Sequence, residues 1–188
     1  MTLTLKDIAS IQTGIFAKPI AKGEIVYLQS KHFDEDGMLK HSLHPDLNPE
    51  SVNSKHLLKN KDILFASKGT KNFAALYANN NQPSVASTSF FVIRLQDDLS
   101  KKVLPEFLVW FLNNQSTQKF LKGKAIGTSI VSISKAVLEE LEVSIPTIKI
   151  QKAILQIAFL RNKEKKLKQQ IETLREQQIQ HQIIKAIK

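Results

Sequence analysis

The sequence predicts a mixed α/β (α+β) globular domain followed by one long C-terminal helix with coiled-coil character. Three observations predict it. Short β-branched and aromatic runs alternate with Gly- and Pro-marked turns in the N-terminal part. An amphipathic spacing opens at Pro105, and from Lys149 to Ile187 there is neither Gly nor Pro.

Taken in order, residues 5–13 suit a short helix or turn leading into Gly14. Residues 24–30, Glu-Ile-Val-Tyr-Leu-Gln-Ser behind Lys22-Gly23, have strand composition. Residues 33–49 are loop-rich: Asp34-Glu35-Asp36-Gly37 suits a turn, and Pro45 and Pro49 punctuate. Residues 62–66 and 89–95 are apolar runs of strand length. Between them lie a further strand at 74–78 and a turn at Asn79-Asn80-Asn81-Gln82-Pro83. Pro105 begins a helix reaching Leu112, with Phe107, Leu108, Phe111 and Leu112 on one side. Residues 138–145 pass from a helix end into a strand that Pro146 closes. The aromatic residues Phe65, Phe90, Phe91, Phe107, Trp110 and Phe111 lie in apolar runs and read as core.

The last segment carries a different pattern. Ile150, Ala153, Ile157, Leu160, Leu167, Ile171 and Leu174 recur at seven-residue spacing, broken once by Glu164. Past Leu174 the stripe drifts to Ile179, Ile183 and Ile187, while Gln178 and His181 fall on the old seam. The helix therefore outlasts the strict coiled coil. At ~1.5 Å per residue it spans about 55 Å, more than one domain of this size covers. It either packs back along its own domain or takes a partner helix, and the persistence of the stripe favours the partner. The expected boundary divides a domain at 1–146 from a helix at 147–188.

Composition narrows the function classes. Of 188 residues, 42% are hydrophobic and 23% charged, the balance of a folded globular protein. No apolar run approaches the ~20 residues of a membrane span. The N-terminus lacks a basic region followed by an apolar stretch, so no secretory signal is expected and the cytoplasm is the simplest location. The absence of cysteine excludes disulfides and thiolate metal sites. The net charge is +10, and residues 146–188 hold ten Lys and Arg against three Asp and Glu. Such a balance suits a polyanion, nucleic acid being the usual one; a basic solvated helix face fits the same count.

One ordered set of short elements is more specific. Leu58-Lys59-Asn60-Lys61 leads into Asp62-Ile63-Leu64-Phe65-Ala66 and then Ser67-Lys68-Gly69-Thr70. Later Gly127-Thr128-Ser129 precedes Ile133-Ser134, Leu138, Ile145-Pro146 and Gln151-Lys152-Ala153-Ile154. Over nearly the whole chain this resembles the DNA-specificity subunits of type I restriction–modification systems: a target-recognition domain and its exit into a conserved helix. The family commonly has a second proline shortly after the Ile-Pro and a Glu before the Gln; here Thr147 and Ile150 occupy that region. Family members usually carry two recognition domains and two conserved helices, whereas this chain has one of each. The resemblance implies a half-length, non-catalytic subunit that pairs as a homodimer through antiparallel helices, with Ile150, Ile157, Leu160, Leu167, Ile171 and Leu174 in the seam. It implies double-stranded DNA with a bipartite site as ligand, adenine methyltransferase subunits as partners and, for cutting, a motor–nuclease subunit. No cofactor is implied.

Base reading requires side chains with donor and acceptor edges on loops that can enter a groove. Candidates are Ser67, Lys68, Thr70, Lys71 and Asn72 around Gly69; Lys122, Lys124, Thr128 and Ser129; Lys18 and Lys22 flanking Pro19; and Ser87 and Thr88. Each also reads as an ordinary solvated turn residue. Gly123-Lys124 is followed by Ala125 rather than Ser or Thr, so no nucleotide-binding loop is formed. His32, His41, His44 and His56 lie near Asp34 and Asp46, but no helix carries them on one face, which argues against a metal site. Asp46, Glu50 and Lys55 lack nuclease spacing, and Asn48-Pro49-Glu50 lacks the second proline and aromatic of an adenine-methyltransferase motif. No Gly-x-Ser-x-Gly elbow occurs. The competing reading is a non-enzymatic protein-interaction module on a coiled-coil dimerisation stalk.

Overall fold

The two most apolar runs of the chain, in the 62–66 and 89–95 segments, pair with each other, and the domain is laid down around that pair. In the computed structural model the elements follow in chain order as β1 (Thr2–Thr4), α1 (Leu5–Ile8), β2 (Ala9–Thr13), β3 (Val26–Leu28), β4 (Ile63–Ala66), β5 (Ala74–Leu76), β6 (Ser84–Ala86) and β7 (Phe90–Leu95). Then come α2 (Pro105–Asn113), α3 (Gln115–Gly123), α4 (Lys135–Glu139), β8 (Glu142–Ser144) and α5 (Ile148–Ile187). The structure describes residues 1–34, 37–40, 43–69, 72–78, 82–99, 101–125 and 132–187. The expected turns at 34–37 and 79–83 lie partly outside these residues.

Strands β2, β7, β4 and β5 form, in that order, a four-stranded antiparallel sheet. β3 and β6 make a parallel pair, and β1 and β8 an antiparallel pair. Both faces of the sheet are covered. Leu64, Ala66, Ala75, Phe90 and Val92 share one core with Val26, Leu28 and Ala86 of the parallel pair. Phe33, Phe73 and Phe90 meet there with ring centroids 5.5–6.0 Å apart, in tilted and edge-on contacts. By strand alternation Ile63, Phe65 and Ile93 turn to the opposite face. α2 packs beside β5, and Phe107, Leu108 and Leu112 are buried. Asn113, at the end of α2, holds β5 as another strand would: its Oδ1 accepts from the Ala74 N–H at 2.7 Å and its Nδ2 donates to the Ala74 carbonyl at 2.8 Å.

The expected strands at 24–30, 62–66, 74–78 and 89–95 are present, as are the helix at Pro105 and the helix-to-strand passage before Pro146. Residues 5–13 need correction, because only Leu5–Ile8 is helical and Ala9–Thr13 is a strand. There Ala9 and Ile11 are buried while Ser10 is exposed, the alternation of a half-covered strand laid against β7. β1, β6 and α3 were not foreseen.

Polar chemistry secures the β4–β7 pair. Arg94 Nε donates to Asp62 Oδ1 at 2.7 Å and Nη2 donates to Asp62 Oδ2 at 2.6 Å. Asp62 Oδ2 also accepts from the Lys59 N–H at 2.7 Å, and Arg94 Nη2 reaches the Leu57 carbonyl at 3.3 Å. The Asp62 side chain is only 1% exposed, so its charge depends on these donors. The same bond holds the Arg94 pKa above its ordinary value.

Packing divides the chain into Met1–Ile148 and the segment from Lys149 onward. α5 runs for 40 residues, about 60 Å at ~1.5 Å each. Ile150, Ile157, Leu160, Leu167, Ile171 and Leu174 are each between 49% and 65% exposed along it. Glu164, the polar break in the stripe, pairs with Lys168 one turn on at 2.6 Å. No described helix is long and apolar enough to cross a membrane.

Arg94→Met is expected to cost about 2–3 kcal/mol by stranding the Asp62 carboxylate, less than a fully enclosed pair because Arg94 is partly solvated. Urea unfolding should show an earlier midpoint than wild type, and an unchanged midpoint would remove the latch from the account.

Candidate nucleic-acid interface

Antiparallel pairing brings the C-terminal ends of β2 and β4 and the N-terminal ends of β5 and β7 to one end of the sheet. The loops from those ends are stitched together through backbone. The Gly14 N–H donates to the Phe90 carbonyl at 3.0 Å, and the Ile15 N–H to the Ala86 carbonyl at 2.8 Å. The Ser67 N–H donates to the Ser89 carbonyl at 3.0 Å, and the Ile133 N–H to the Ser67 carbonyl at 2.9 Å. Isolated bridges join Ile15 to Ser87 and Lys68 to Ser132. The segment re-entering the described residues at Ser132 thus returns to the loop that follows β4.

Two glycines permit this geometry for different reasons. A Cβ on Gly14 would lie 2.1 Å from the Ser87 carbonyl oxygen, so the chains could not approach as they do. Gly69 has φ +102° with open space around it; its requirement is conformational rather than steric.

The candidate readers separate into groups. Lys68 is exposed, Thr88 is half-buried, and Asn72 closes its loop by donating from Nδ2 to the Ala66 carbonyl at 3.0 Å. Ser67 and Ser87 lie inside, 1% and 5% exposed. Ser67 Oγ donates to the Ser89 carbonyl at 3.3 Å, and the Ser87 and Ser89 hydroxyls are 2.6 Å apart. These two serines brace the loops and present no free edge to a groove. Lys18 and Lys22 are exposed on the loop after Gly14, which is tacked down where the Ile20 N–H meets the Asp46 carbonyl at 2.7 Å. Among the described residues, Lys18, Lys22 and Lys68 have no acidic partner at salt-bridge distance. Lys122 and Lys124 are exposed at the end of α3, an element separate from these loops. Thr70, Lys71, Thr128 and Ser129 lie outside the described residues.

Of the acidic and imidazole groups considered for metal or nuclease chemistry, Asp46, Asp34 and His32 serve local structure. Asp46 Oδ1 accepts from the Tyr27 N–H at 2.9 Å, and Asp34 Oδ1 from the Met38 N–H at 2.8 Å. His32 Nδ1 accepts from the Gln29 N–H at 3.2 Å, and burial holds its pKa below the ordinary value. His41 lies outside the described residues. Asn48 Oδ1 accepts from the Glu50 N–H at 3.1 Å, capping a 3₁₀ turn.

Sequence reasoning missed the residues that position this platform: Asn113 on β5, the Asp62–Arg94 latch at the sheet's other end, and Tyr27 under the Gly14–Gly23 loop. A lone arginine in the apolar run Phe90–Leu95 was a usable signal for the latch. Nothing in the local sequence marks Asn113.

The family of type I restriction modification DNA specificity domains matches residues 1–173. A search of curated proteins finds no match. The S subunit of a type I restriction–modification system from M. genitalium superposes with TM-score 0.59 at 18% identity, covering 87% of this chain and 39% of that one. The HsdS subunit of Thermoanaerobacter tengcongensis gives 0.58 at 13%, covering 88% and 37%. A chain solved in work on complex assembly and conformational transition of the type I R-M system gives 0.60 at 13%, covering 88% and 38%. At these identities the likeness establishes the fold, and this chain spans less than two-fifths of each solved one. With 1–173 of 188 residues matched, the chain belongs to the type I restriction modification DNA specificity domain family.

Proposed function

We propose that this chain is a specificity subunit that works as a homodimer, reading a bipartite DNA site and directing adenine methyltransferase subunits to it. The observation that carries the reading is family membership over residues 1–173, together with the exposed apolar stripe of α5. Residues 1–146 form the reader, and residues 147–188 the helix that pairs and docks the methyltransferase. A motor–nuclease subunit joins when the site is cut. The chain itself carries no catalytic step, and the complex acts in the cytoplasm.

Physical arguments support each part. Six half-exposed aliphatic side chains at heptad-like spacing give α5 an apolar stripe broken once, at Glu164. Covering what remains exposed offers on the order of 5–10 kcal/mol per chain before ordering costs, enough to hold two helices together. An antiparallel pair sets one reader at each end, and its two-fold axis maps onto a palindrome with an unread gap. Helix length then fixes the gap. At each reader Lys18, Lys22 and Lys68, without acidic partners among the described residues, supply positive charge for phosphate, and half-buried Thr88 is the candidate for base contact, while Asn72 keeps its amide on its own loop. Thr70, Lys71, Thr128 and Ser129, outside the described residues, remain candidate readers by the family resemblance, with Lys122 and Lys124 as candidate phosphate contacts.

Selection from random duplex DNA in the presence of the methyltransferase subunits tests the reading: it should enrich a two-part palindromic motif, and enrichment of none would reject it. On the enriched duplex, Lys68→Ala should weaken binding evenly across sequences. It should also reduce the slope of log affinity against log salt by about one between ~50 and ~200 mM. A change of motif with an unaltered slope would make Lys68 a base reader instead. Leu160→Lys or Leu167→Lys should convert the dimer to monomer in sedimentation, because a lysine in the seam buries an unpaired charge. Unchanged mass would contradict pairing through this stripe.

A further inference from the structure

One exposed aromatic ring is presented by a rigid support. Phe16 is 78% exposed, yet the chain on both sides of it is fixed. The Ile15 N–H donates to the Ala86 carbonyl at 2.8 Å. The Tyr27 hydroxyl donates to the Ile15 carbonyl at 2.9 Å and accepts from the Ala17 N–H at 3.3 Å. Tyr27 is itself buried, 3% exposed, and Ile15 and Ala17 pack on the cluster of Ile25, Tyr27, Leu47 and Val85. The neighbours of Phe16 therefore turn inward and are pinned by one phenol, while its ring stands in solvent.

Single exposed apolar side chains are common on protein surfaces. This one differs in its support and its surroundings. It lies between Gly14, locked against Ser87, and Lys18, and Ser87 is linked through Ser89 to the Ser67–Lys68 loop. A rigid apolar ring two residues from exposed Lys18, on a platform that also carries Lys22 and Lys68, matches the chemistry of side chains that insert between base pairs, where cations hold the adjoining phosphates and the ring replaces lost stacking.

We propose that Phe16 is an apolar wedge that enters the DNA base stack beside the read bases and kinks the duplex there, with Lys18, Lys22 and Lys68 on the flanking phosphates. The assignment rests on the DNA-reading function above and adds a residue and a deformation to it. Because unstacking is easiest at pyrimidine–purine steps, the wedge favours such a step at that position.

The test uses the duplex selected by the wild-type chain with its methyltransferase subunits, labelled at both ends with a donor and an acceptor dye. Wild type should bring the ends closer. Phe16→Ala should bind that duplex about tenfold or more weakly and leave it straight, with the salt slope unchanged because no phosphate contact is lost. Phe16→Leu, still an apolar wedge, should retain bending and stay within about threefold in affinity. Phe16→Ala should also keep the wild-type urea midpoint; an earlier one would mark a structural role and overturn the assignment. Wild-type affinity and bending in Phe16→Ala, or a straight duplex with wild type, would overturn the wedge while leaving the reading function standing. If wild type selects no duplex at all, the reading function fails first.

Discussion

The meeting of loop backbones at one end of the four-stranded sheet is the constraint on which the interface depends. Side chains on freely moving loops lose entropy when they bind, and a reader must hold its donors and acceptors in register with base edges. Here the loops from β2 and β4 and the turn before β7 are joined by main-chain hydrogen bonds running from Gly14 to Ile133. The closest approach, Gly14 against Ser87, leaves no room for a side chain. Ser67, Ser87 and Ser89 turn their hydroxyls toward one another and toward backbone, so these three hydroxyls are satisfied internally. Among the described residues, Lys18, Lys22, Lys68 and Phe16 are exposed on these loops.

The sheet beneath the loops explains their stiffness. Every residue of Ile63–Ala66 is buried, because one face of the sheet packs on the β3–β6 pair and the other is also covered. Asn113 closes the β5 edge at the loop end, and the Asp62–Arg94 pair fixes the β4–β7 register at the far end. The platform is thus held from both directions by groups that lie outside its loops.

Legibility in the sequence followed the strength of each element's own apolar pattern. α5 declared itself because forty residues of helix give an apolar stripe many repeats in which to show. β4 and β7 were legible as continuous apolar runs. β1 and β6, at three residues each, are too short to display a period of two, and Ser84-Val85-Ala86 has no strong strand composition. α3 was hidden by its polar residues, since Gln115–Gly123 buries only Thr117 and Leu121. Within the site, Lys68, Lys18 and Lys22 could be named because lysine beside Gly or Pro rarely lies inside. Ser67 and Ser87 could not be placed, because a serine at a strand end serves equally as a brace or as a reader. Phe16 was invisible for the opposite reason: phenylalanine defaults to the core, and only Tyr27, eleven residues away, reveals that it does not go there.

The central claim is that two copies of one reader are held a fixed distance apart by α5, and adenine methylation in cells tests it most directly. Cells expressing this chain with its cognate methyltransferase subunits should acquire methylated adenines in one motif: two inverted copies of the same short sequence separated by a gap of constant length. Methylation confined to a single undivided sequence, to halves that differ, or to gaps of variable length would contradict the account.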